Sequence, residues 1–110
     1  MLGDRPPPSA RSSTWRHVSA ELEGVRDEAF ADPRQVEAYL ARGLGAVAAG
    51  IHWTWHRFDP TGVSVVGLGP SARVSLSTHP ERHCATLDVY APDPDLDNVL
   101  QRLSGVLLGA

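Results

Sequence analysis

Four short segments of alternating polarity, crowded between positions 51 and 90, constrain this chain more than any other feature. Ile51–Phe58 alternates, Asp59-Pro60-Thr61-Gly62 carries the proline and glycine of a reversing turn, and Val63–Gly69 runs back. Two further strands, ARVSLST (72–78) and CATLDVY (84–90), are joined by Pro80-Glu81-Arg82-His83. In the last of them Ala85, Leu87 and Val89 share one face, while Thr86, Asp88 and Tyr90 share the other. With gaps this short each strand turns back on its predecessor, and the spacing predicts an antiparallel sheet.

The flanking segments predict the remaining elements. Residues 14–22, TWRHVSAEL, read as a first strand. Asp32-Pro33 opens a helix, with Asp32 as N-cap, Pro33 at the first helical position and Gln35 placed for a capping box. Val36, Leu40, Leu44 and Val47 make one apolar stripe, and Gly50 is expected to end that helix. Asp93-Pro94 caps a final helix whose apolar positions are Leu96, Val99, Leu100, Leu103 and Leu107. Acids at Asp93, Asp95 and Asp97 suit its positive N-terminal end. The fold class is therefore α+β, a two-layer sandwich with an antiparallel sheet and two helices on one face. Residues 1–13, three successive prolines among small and polar residues, read as a disordered tail, and residues 14–110 as the domain.

Bulk properties narrow the classes of function. A net charge of −3, from 13 acids and 10 basic residues, gives no electrostatic case for nucleic acid as a partner. The lone Cys84 excludes an internal disulfide and fits a reducing, cytoplasmic setting. No apolar run approaches the roughly 18 residues that span a bilayer, so no membrane association is expected. The start, MLGDRPPPSARSS, does not read as a secretory signal.

From His56 to Asp93 the segments HRFDPTGVS (56–64), SARVSLSTHPE (71–81) and CATLDVYAPD (84–93) run in a fixed frame. That frame resembles the bacterial S-adenosylmethionine decarboxylases, a pyruvoyl-dependent family of polyamine biosynthesis. The family pattern is H-K-F-x-P-x-G-V-S, then E-S-H-x-S-I-H-T-[WY]-P-E, then Y-A-x-x-D-V-[FY]-T-C-G. Phe58, Pro60, Gly62, Ser64, Ser75, Thr78, Pro80, Glu81, Asp88 and Tyr90 fit it. Trp15-Arg16-His17-Val18 is similar to the family's G-R-H-L strand. The resemblance implies the same α+β sandwich, with the other sheet face packing in a dimer.

What the resemblance implies about chemistry is different. The family's chain cleaves itself before the serine of E-S-H, which becomes the pyruvoyl group; here Ala72 holds that position, between Ser71 and Arg73. Ser77 matches the family's processing histidine, and Pro92 matches its proton-donating cysteine. Alanine has neither a nucleophile nor a leaving group, so no pyruvoyl cofactor is expected. The expectation is a decarboxylase-like protein that binds a nucleoside or amino-acid ligand without decarboxylating it. It would pair with itself or regulate an active paralogue. Two alternatives stay open: a repurposed enzyme using the inherited pocket, or a pyruvoyl decarboxylase rescued by self-cleavage at Ser71.

Candidate ligand-binding residues are Phe58, Ser64, Ser75, Ser77, Thr78, His79 and Glu81, with Phe58 matching an aromatic that lies near the substrate's adenine in the family. Each also has a plainer role: hydroxyls on a solvated strand face, a core phenylalanine, a turn carboxylate. His79, Glu81, His83 and Cys84 are the candidates for acid–base work. His52 and His56, four apart on one strand, share a face, but with no close-spaced cysteine pair no metal is expected.

Overall fold

The turn signals at 59–62, 69–72 and 80–83 fold the second half of the chain into a meander. The computed structural model describes residues 5–110. Its strands are β1 (Trp15–Glu23), β2 (His52–Arg57), β3 (Val63–Leu68), β4 (Arg73–His79) and β5 (Cys84–Pro92). The helices are α1 (Pro33–Leu44) and α2 (Asp93–Leu108). The strands form one sheet in the order β1-β5-β4-β3-β2, every neighbour antiparallel. Residues 5–13 are exposed and carry no helix or strand, and the first four residues of the expected tail lie outside the described residues.

Both helices lie on one face, as the alternation requires. Val63 and Val65 of β3, Val74 and Leu76 of β4, and Leu87 and Val89 of β5 are buried beneath them. Val36, Leu40 and Leu44 of α1 meet Leu96, Val99, Leu103 and Leu107 of α2 in the same core. The helices approach closely at Gly43, where a Cβ would stand 2.9 Å from the Leu103 Cα. At Gly67 the missing side chain makes room for the Trp53 ring, which would lie 2.7 Å from a Cβ. Among the described residues no helix is long and apolar enough to cross a membrane.

Two helix boundaries differ from expectation. Asp32 does cap α1, accepting from Arg34 N at 3.0 Å, but the helix stops at Leu44 and not at Gly50. Gly45, at φ 61°, takes the terminating position, and a 3₁₀ turn over Gly45–Ala48 carries Val47 against the core. Arg102 of α2 closes that end, donating from Nε to Gly43 O at 3.0 Å and from Nη2 to Leu44 O at 2.9 Å. In α2 the cap position falls on Pro92, and Asp93 is already the first helical residue.

Candidate functional site

The sheet face away from the helices is open, and the register writes polar rows across it. One row runs His56, Ser64, Ser77, Thr86, Glu21 from β2 to β1. The next runs Thr54, Val66, Ser75, Asp88, Ser19. Ser64 and Ser77 hydroxyls meet at 2.7 Å, and His79 Nε2 lies 3.3 Å from Thr86 Oγ1. Strand parity thus brings Ser64, Ser75, Ser77 and His79 onto one face. Thr78 parts from them: it is buried on the helix side, where its hydroxyl accepts from Val63 N at 2.9 Å and donates to Val63 O.

Beside these rows lies a pair not anticipated from the sequence. His17 Nε2 is 2.9 Å from Asp88 Oδ1, and the imidazole stacks on Tyr90 with centroids 4.1 Å apart. Hydrogen bonds from His17, and then from Ser19, hold the Asp88 carboxyl below its usual range. Arg73 lies over the Trp15 ring at 5.4 Å. The two members of the pair are 71 positions apart, so only the β1–β5 pairing could have disclosed it.

At one end of the sheet a cavity of about 580 Å³ opens beneath the β2–β3 turn. Phe58, half exposed with its ring edge-on to His56, forms one wall. Phe30, Val63, Thr78 and Pro80 line it further in, and Asp27 and Arg57 stand on its charged walls. Of the lining residues Phe58, Thr78 and Cys84 were candidates from the sequence, whereas Asp27 and Arg57 carry no motif.

The acid–base candidates gather at the β4–β5 turn without converging. His83, in a left-handed conformation at φ 52°, sets Nδ1 3.0 Å from Asp27 Oδ2. Cys84 is buried and donates to Glu21 Oε1 at 3.4 Å; burial, then that bond, pushes its thiol pKa up. Glu81 is exposed on the turn over Pro80–Arg82, and His79 faces Thr86. Among the described residues no three His, Cys, Asp or Glu side chains gather as a metal site would require.

Ala72 lies at the other end of β4, before Arg73, roughly 23 Å along the strand from His79 at about 3.3 Å per residue. Its side chain is wholly buried in the core, its carbonyl accepts from Gly69 N at 3.0 Å, and Ser71 next to it is exposed on the turn. Ser71 and Ala72 therefore stand apart from Phe58, His79 and Glu81 within one chain.

Sheet order and two helices on one face define an α+β two-layer sandwich with a hydroxyl-bearing open face. A sequence profile described as S-adenosylmethionine decarboxylase matches residues 16–107, and the chain belongs to that family. It is 35% identical over 79 residues to the S-adenosylmethionine decarboxylase proenzyme of Syntrophomonas wolfei, covering 71% of this chain and 63% of that one. The proenzyme of Carboxydothermus hydrogenoformans is 32% identical over 83 residues, 74% of this chain and 65% of that one. The chain thus spans a little under two thirds of these curated relatives. The crystal structure of the adenosylmethionine decarboxylase from Aquifex aeolicus superposes with a TM-score of 0.72 at 25% identity. That match covers 84% of this chain and 78% of the other.

Proposed function

We propose that this S-adenosylmethionine decarboxylase-like protein forms no pyruvoyl group and serves as a ligand-binding or regulatory partner. The observation that carries the reading is Ala72, at the position aligned with the family's cleaved serine. The residues present do not fit the cofactor: a methyl group packed in the core offers no hydroxyl to attack the preceding carbonyl. Pro92, aligned with the family's proton donor, has no side-chain proton and is held in β5 opposite Trp15. The Ser64–Ser77 contact at 2.7 Å supports the same reading, since two hydroxyls satisfy each other where the family places a serine and a histidine.

The open face supports association through that surface, with a second copy of the chain or an active paralogue. Its serines, threonines and histidines suit a polar interface, and a chain of 110 residues gains from added burial. The intact mass of the denatured protein tests the central claim. A single uncleaved chain, unchanged by cyanoborohydride with an amine, is expected. Two fragments meeting at Pro70 and Ser71, the second carrying a reducible carbonyl, would sink it and establish self-cleavage at Ser71.

A further inference from the structure

We propose that the cavity under the β2–β3 turn binds small apolar carboxylates through Arg57. This rests on the cavity alone and not on the family reading, and the mass experiment above leaves it untouched. The volume of about 580 Å³ falls within the range of roughly 300–1,000 Å³ typical of small-molecule sites. Phe30, Phe58, Val63 and Pro80 offer an apolar body a dry wall and the flat face of a ring. The Thr78 hydroxyl is taken up by the Val63 backbone, leaving the floor without a competing polar group there.

Charge then selects the head group. Three ionised side chains stand on the walls: Asp27, Glu28 and Arg57. The two acids are engaged, Asp27 with His83 at 3.0 Å and Glu28 with both Nε and Nη2 of Arg26 at 3.2 Å. Among the described residues Arg57 has only Asp32 Oδ1 at 3.8 Å, beyond hydrogen-bond length and between two exposed side chains. Its planar fork of donors is therefore available at the rim of an apolar hollow, and a carboxylate matches that fork bidentately.

Calorimetric titration of the full chain with 3-phenylpropionate, 3-phenylpropanol and phenethylamine tests this, because the ring is constant and the head charge changes. The acid is expected to bind, with the alcohol and the amine at least about tenfold weaker. Arg57→Gln should weaken the acid about tenfold or more, Arg57→Lys less, and Phe58→Ala should weaken it with charge unchanged. Circular dichroism confirms that each variant is folded. Amine binding as tight as the acid, acid binding indifferent to Arg57→Gln, or no saturable heat from any compound at millimolar concentration would each overturn the proposal.

Discussion

Asp88 keeps its charge on an open sheet face because donors from two neighbouring strands converge on it: His17 and Ser19 from β1, Ser75 from β4. A carboxyl held below its usual range binds its proton less readily folded than unfolded. Its contribution is therefore full above the unfolded value of about 3.9 and is lost as pH falls through the lower folded value. Asp88→Asn should cost about 1 kcal/mol at neutral pH, a modest figure because the pair is partly solvated. In urea unfolding the gap between the two proteins should close below about pH 4; a gap constant into stronger acid would remove the carboxylate's role. The residues forming this pair were readable one at a time, His17 in a strand and Asp88 on a polar face. Their meeting was not, since nothing local to either residue encodes a partner on another strand.

Among the elements, α1 shows where periodicity succeeds and where it stops. Its apolar stripe and its Asp32 cap were legible because both are local. Its end was not, because Gly45 and Gly50 both adopt positive φ and the intervening 3₁₀ turn keeps Val47 inward. The signal that decides between them comes from α2, where Arg102 binds the carbonyls of Gly43 and Leu44. The same contact makes Gly43→Ala a sharp test. Helix propensity alone would favour alanine by about 1 kcal/mol, but its Cβ would press on the Leu103 backbone at 2.9 Å. We expect a net loss of about 1–3 kcal/mol from overpacking, measured by chemical denaturation, while a gain would mean the helices can separate freely.

At the scale of the whole molecule the two faces differ, one packed against the helices and one open, and the proposed role of the open one is association. Val66 sits within it, between Thr54 and Ser75, so Val66→Arg introduces bulk and charge near its centre while leaving the core untouched. Light scattering should show the wild-type chain as a dimer and this variant as a folded monomer. A wild-type monomer, or a variant dimer, would dissociate that face from assembly. The fold class was legible because alternation and turns are written residue by residue. Candidate site positions could be named mainly where a family frame supplied them, as at Phe58 and Ala72. The cavity walls at Asp27 and Arg57 come from the β1–α1 connection and β2, and only packing brings them together.

The sheet order carries one more consequence. β1 is an edge strand, and the sheet neighbour it pairs with is β5, the last to be made. During synthesis the meander β2-β3-β4 can assemble as it emerges, while β1 waits with both edges bare until residues 84–92 leave the ribosome. The first strand therefore joins the sheet last, and a nascent chain halted before Cys84 carries an unsatisfied strand open to wrong partners.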